Sequence, residues 1–181
     1  ADTHRYHLGL ELFLLGSSAS NRFSIRDIAR PSLQRLAEQT GDTVYLFVRS
    51  GMDALCVDRV EGAFPIRTLS LDVGGRRPLG VSAGSLALLA ALGDEEVAQV
   101  IAANAERFAR FDCGPDEVGR MVEATRRAGH AVSDGMIVPG MCAVAVPIND
   151  RTGMPVAAIS IGAISQRMDA TRRARIVGLM A

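Results

Sequence analysis

Residues 80–84 read Gly80-Val81-Ser82-Ala83-Gly84, which satisfies the G-x-S-x-G spacing of a hydrolase nucleophile elbow. In that chemistry a sharp turn lifts the serine hydroxyl above a buried strand, and a histidine takes its proton. His130 with Asp112 or Asp116 would have to complete the triad. The residues entering the turn are Gly74-Gly75-Arg76-Arg77-Pro78-Leu79, a poor buried strand, so the required context is half met. The same stretch supports a second chemistry. A turn of Gly, Ser and Ala entering a helix offers unpaired backbone N–H groups at the positive end of a dipole, a seat for a carboxylate or another small anion. Ser82 and Ser85 would add hydroxyl donors, and Arg76 and Arg77 just upstream would add charge-assisted bonds. In the plainest reading, Ser82 or Ser85 is an N-cap and nothing more.

Other reactive side chains carry less. Cys142 near His130 suggests a thiol nucleophile, but a small cysteine on an apolar strand is more often simply buried. His130 follows Gly129 at a helix-to-strand turn, a surface position. The three histidines do not cluster, and no pair among Cys56, Cys113 and Cys142 has metal-ligand spacing. Reduced thiols in a cytoplasm are therefore expected, with no metal and no cofactor. Met136, Met141 and Met154 are core or pocket linings. Arg172, Arg173 and Arg175 read as a solvated helix face.

The elements that would position these groups centre on residues 130–162. Two apolar runs, 141–148 and 154–161, flank the turn-rich Asn149-Asp150-Arg151-Thr152-Gly153. Val144, Val146 and Ile148 alternate with Ala143, Ala145 and Pro147, the period of a strand. In the second run Val156, Ala158, Ser160 and Gly162 share one face, and Ile159, Ile161 and Ala163 the other. This is an antiparallel hairpin at the centre of a sheet. Its small and polar face leaves room for a ligand where a core would place large apolar groups.

Around it the pattern alternates between helices and hairpins. Leu8, Leu12 and Leu15 mark a first helix. Ser24 and Asp27 open a second, carrying Ile25, Ile28, Ala29, Leu33, Leu36 and Ala37, with Pro31 kinking or restarting it and Gly41 ending it. Residues 44–49 and 54–60 flank Ser50-Gly51-Met52-Asp53 as another hairpin, and 65–73 reads as a third strand. A helix starting near Ser82 or Ser85 carries Leu86, Leu89 and Leu92. Asp94 caps the next, with Val97, Val100 and Ile101 inward. Pro115 opens another around Val118, Met121 and Val122. A last helix begins at Asp169 with Ile176, Val177 and Met180 inward. The order predicts an α+β fold, a mainly antiparallel sheet with helices against it.

Composition sets outer limits. The chain has 181 residues, 48% of them hydrophobic, and zero net charge, enough for one domain with a substantial core. Its 20 basic residues are all Arg, matched by 20 acids, so no basic stripe for nucleic acid stands out. The apolar runs are too broken to cross a membrane, and no signal peptide opens the chain.

The order of motifs resembles the effector-binding domain of IclR-family bacterial transcription regulators, over nearly the whole chain. The matching pieces begin with Tyr6-His7-Leu8-Gly9, Ile28-Ala29-Arg30-Pro31, Leu33, Leu36-Ala37 and Thr40-Gly41-Asp42-Thr43-Val44. Next come Val57-Asp58-Arg59-Val60-Glu61, Arg77-Pro78-Leu79 and the turn and helix at 82–90. Arg127-Ala128-Gly129-His130-Ala131, residues 140–147 and Ala157-Ala158-Ile159-Ser160-Ile161 complete the series. No single piece is specific; their number and order are.

The resemblance implies a GAF-like fold, a curved antiparallel sheet with helices on both sides, holding a small-molecule pocket. It implies no catalysis. It makes residues 1–22 a linker segment and linker helix and 23–181 the effector-binding domain, with the family's N-terminal winged helix-turn-helix absent from this chain. Operator DNA would be bound through that absent domain, and the assembly would be a homodimer or homotetramer. Carried over by position, the family's pocket falls on Leu69, on Ser82, Ala83 and Gly84, on Ser133 and Ala143, and on Ser160 and Gly162. Leu69, Leu71 and Met136 or Met141 would line the apolar part of a small organic acid, an aromatic one included. The family's acidic run is replaced here by Ser133-Asp134-Gly135-Met136, its pocket cysteine by Ala143 with Cys142 one place off, and its Gly-Lys by Gly84-Ser85. The turn is also about one residue shorter.

Overall fold

The left-handed glycine Gly41, at φ 72°, ends the helix over Ile25–Thr40 and turns the chain into the sheet. The computed structural model describes residues 10–11, 25–67 and 69–180. The expected helix over 8–15 and the capping Ser24 therefore fall outside the described residues, apart from Leu10 and Glu11. Helix α1 spans Ile25–Thr40 and buries Ala29, Leu33, Leu36 and Ala37. Pro31 lies inside this one helix rather than starting a second. Ile28, expected inward, is 70% exposed. Its positions four and seven further on are Ser32 and Arg35, so it belongs to the polar side.

Six strands follow: β1 (Thr43–Ser50), β2 (Asp53–Val60), β3 (Arg76–Pro78), β4 (Ala131–Asp134), β5 (Met141–Asn149) and β6 (Pro155–Ile164). They form one antiparallel sheet in the order β3-β2-β1-β6-β5-β4. Both expected hairpins are present. In the β5–β6 turn the Asp150 carboxylate accepts from the backbone N–H groups of Thr152 and Met154, and Gly153 supplies the positive φ.

The expected strand over 65–73 is not one. Its described residues, 65–67 and 69–73, are irregular, and Ile66, Leu69 and Val73 are about half exposed (54%, 49% and 51%). The free edge of β2 is taken further on, where Cys56 exchanges backbone hydrogen bonds with Gly74 and Gly75 and Arg76–Pro78 then pairs with 53–55. The apolar residues before Gly74 thus have no partner strand to alternate against.

Alternation along the strands builds a layer on each face. One face puts Val44, Leu46, Val144, Ile159 and Ile161 against α1 and against Ile176 of the last helix, α5 (Ala170–Met180). The other puts Tyr45, Phe47, Ala54, Cys56, Ala145 and Ala158 against helices α2 (Ala83–Ala90), α3 (Asp94–Phe108) and α4 (Pro115–Ala128). Helix α2 is buried at all eight positions, as expected of a helix held between a sheet and a second helix. Gly93, not Asp94, is the N-cap of α3; Asp94, Glu95 and Glu96 form its first turn, where the dipole favours them.

Two ion-pair groups tie α1 to its surroundings. Asp58 on β2 meets Arg26 and Arg30 of α1. Asp42, next to Gly41, meets Arg167 and Arg172, and the Arg167 guanidinium lies 3.7 Å from the centre of the Phe64 ring. Among the described residues no helix is long and apolar enough to cross a membrane.

Candidate functional site

Between the small face of the hairpin and the start of α2 lies a narrow cleft, about 500 Å³ of empty space including its mouth. The part of it open to the centre of a water-sized sphere is about 50 Å³. The strand register explains the floor. Gly162 of β6 pairs with Ala143 of β5, which pairs with Ser133 of β4. Ser160 pairs with Tyr45 on one side and Ala145 on the other. Directly opposed residues share a face, so these rows present Ser, Gly and Ala where bulky side chains would fill the space. Met141, Ile137 and Val138 close one end, and the Tyr45 and Phe47 rings stack along the other with centres 6.0 Å apart.

The roof is the turn at Ser82, Ala83 and Gly84. Ser82 is the N-cap of α2: its Oγ accepts from the Ser85 N–H, while the Ser85 Oγ accepts from the Ser82 N–H. This reciprocal box satisfies two orphan donors and leaves the earliest N–H groups of the turn without intrahelical partners. Gly84 is required by packing, because a methyl group there would overlap the Phe47 ring. The hydroxyl partner of Ser82 is thus Ser85. The strand before it, β3, has three residues on the sheet edge, and His130 is half-buried, its Nδ1 3.0 Å from the Ala128 carbonyl. The turn is built as a helix cap.

Among the described residues one cation, Arg77, lines the cleft. Arg77 follows the β3–β2 pairing, opposite Ala54, and donates to the Ser70 carbonyl. The Ser70 N–H donates to the Tyr45 hydroxyl at 3.2 Å. Burial pulls the Arg77 pKa down, partly offset by Tyr45 and Cys56; it pushes the Tyr45 phenol up and the Cys56 thiol up to about 11. Burial also raises Cys142, with Asp134 adding to it, so the thiol at the cleft edge stays protonated at neutral pH. Ser133 and Ser160 make no side-chain hydrogen bond to another described residue. No group of His, Cys, Asp and Glu among the described residues is arranged to hold a metal ion.

Of the positions named from the sequence, Ser82, Ala83, Gly84, Ser133, Met141, Ala143, Ser160 and Gly162 line the cleft together. Leu69 and Leu71 do not: Leu69 is half exposed, and Leu71 packs on the neighbouring core. Ser70 between them lines it instead. Met136 packs on the core and Met154 is exposed. Sequence reasoning missed Tyr45, Phe47, Ile137 and Val138, and placed Arg77 only beside the turn. Tyr45 carried a signal, an aromatic residue on the strand that pairs with the small face. Arg77 carried none beyond its nearness to Ser82.

Comparison with known proteins gives a consistent result. Residues 17–181 match the family model described as bacterial transcriptional regulator IclR C-terminal. The HTH-type transcriptional repressor AllR of Escherichia coli K12 is 29% identical over 169 residues, covering 92% of this chain and 62% of AllR. The chain therefore spans less than two thirds of that relative. The HTH-type transcriptional regulator KipR of Bacillus subtilis is 28% identical over 171 residues, covering 92% of this chain and 67% of KipR. The crystal structure of the Thermotoga maritima IclR superposes with a TM-score of 0.83 at 28% identity, covering 99% of this chain and 73% of that one. An IclR transcriptional regulator from Alicyclobacillus acidocaldarius shares the fold, with a TM-score of 0.81 at 23% identity over 98% of this chain and 72% of that one.

Proposed function

The chain belongs to the bacterial transcriptional regulator IclR C-terminal family, and from that premise we propose that it is the ligand-sensing part of a cytoplasmic regulator of transcription. Residues 23–181 form the effector-binding unit, and 1–22 link it to a DNA-binding domain that lies before this chain in the whole protein. The effector is a small organic acid, aromatic acids included. Its polar end meets the turn at 82–84 and the Ser160 hydroxyl, and its apolar body lies along Met141, Ile137 and Val138. The working assembly is a homodimer or homotetramer whose spacing of DNA-binding heads responds to the ligand. Occupancy changes operator affinity only in so far as the ligand prefers one arrangement over the other.

The observation that carries this reading is the floor of the cleft. Three adjacent strands place Ser133, Ala143, Gly162 and Ser160 on one concave face, and the two serine hydroxyls there have no described protein partner. A sheet that only served packing would fill that face. Isothermal calorimetry with the acid that binds best tests it. Ser160→Ala is expected to weaken binding about three- to tenfold, the worth of one hydrogen bond, with thermal stability unchanged. Unaltered affinity would remove Ser160 from the site.

A further inference from the structure

The charge balance of the cleft goes one step further and rests on the sensor reading above. No carboxylate lines the cleft among the described residues, yet the half-buried Arg77 does. Among the described residues Arg77 takes part in no ion pair, whereas Arg59 faces both Glu61 and Asp72. The groups whose charge bears on Arg77 are Tyr45 and Cys56, and both are neutral at neutral pH. A guanidinium keeps its proton and presents five donors in a fixed fork. One bond is accounted for, to the Ser70 carbonyl. The Ser133 and Ser160 hydroxyls and the first N–H groups of α2 can also donate there, and no described group lining the cleft carries a negative charge at neutral pH. A partly desolvated cation among donors is unfavourable until an anion joins it.

We propose that Arg77 is the charge-selecting residue of the cleft: it pairs with the carboxylate of the acid and sets the preference for an anionic over a neutral ligand. The fork suits a bidentate pair with a planar carboxylate. The same contact draws on the guanidinium that holds Ser70, so ligand binding and the position of Ser70 are linked.

The test uses matched acids and amides of equal shape, benzoate with benzamide and isovalerate with isovaleramide, titrated calorimetrically at neutral pH into the chain and into Arg77→Met. In the unaltered chain at least one acid binds, and its amide binds at least about tenfold more weakly. In Arg77→Met the acid falls to within about threefold of its amide, and Arg77→Lys restores part of the preference. Should the Met variant not fold, Arg77→Gln, polar but uncharged, gives the same readout. A residue that only held the loop would lower acid and amide alike and leave their ratio unchanged. An unchanged ratio in the variant therefore overturns the Arg77 assignment and leaves the sensor reading standing. Equal binding of acid and amide to the unaltered chain overturns the assignment as well. No binding of any of the four compounds overturns the assignment together with the acid-sensor reading it rests on.

Discussion

Cys56 is fully buried, and burial pushes its thiol pKa from the ordinary 9.0 to about 11. The folded state therefore holds this proton more tightly than the unfolded chain. Below about pH 9 both states are protonated and the thiol costs nothing; between about pH 9 and 11 the unfolded chain ionises first and stability falls. The chain has no lysine, so this window is unusually free of other basic groups. Tyr45, also raised by burial, adds to the loss in the same direction at its upper end. Urea midpoints measured across the window should drop by the equivalent of about 2 kcal/mol in the unaltered chain and by clearly less in Cys56→Ala. Parallel curves for the two proteins would show that the Cys56 proton is not linked to folding. At this scale the sequence showed Ser82 through its turn and Ser160 through its polarity on an apolar strand, and Ser133 through the family resemblance. It could not show Arg77 as a cleft wall. That position depends on β3 pairing with β2 and on the Ser70 carbonyl meeting the guanidinium, both contacts made only in the folded chain.

Helix α2 and strand β1 meet at one contact that a single atom decides. Gly84 lies against the Phe47 ring with no room for a β-carbon, and α2 is buried all round, so the helix has no free side toward which to shift. Gly84→Ala gains helix propensity of up to about 1 kcal/mol but overpacks the core at a cost of about 1–3 kcal/mol. The net expectation is a less stable protein, read as a lower urea midpoint with an unchanged slope; a midpoint equal to or above the original would mean that the ring moves aside freely. The hairpins were legible because period-2 alternation and turn residues are local signals. The segment 65–73 misled because its apolar residues mimic a strand, while the edge they would need is occupied by Gly74 and Gly75. Ile28 misled because its apolar character outvoted its place on the polar side of α1.

At the scale of the molecule, two layers of helix enclose one sheet, and the cleft opens on a single side of it, under α2. The opposite layer, α1 and α5, is pinned by the buried Asp42 to Arg167 and Arg172. The cation–π contact of Arg167 with Phe64 places the start of the Ser70 loop next to that pin. Sheet and ion pairs thus join the cleft to α1 on the far side of the sheet. The fold class was readable from the order of elements, and the family from the order of motifs; the ligand was not, since the cleft assembles from five separate stretches of chain. The most direct test of the central claim is a thermal-shift titration of this chain with small carboxylic acids, aromatic and aliphatic. A ligand that binds only the folded state must raise the midpoint in step with its concentration, by about 5–10 °C at a hundred times its Kd. A saturable, concentration-dependent rise with at least one acid is the predicted result. A flat midpoint across the whole panel, with the protein folded throughout, would contradict the account.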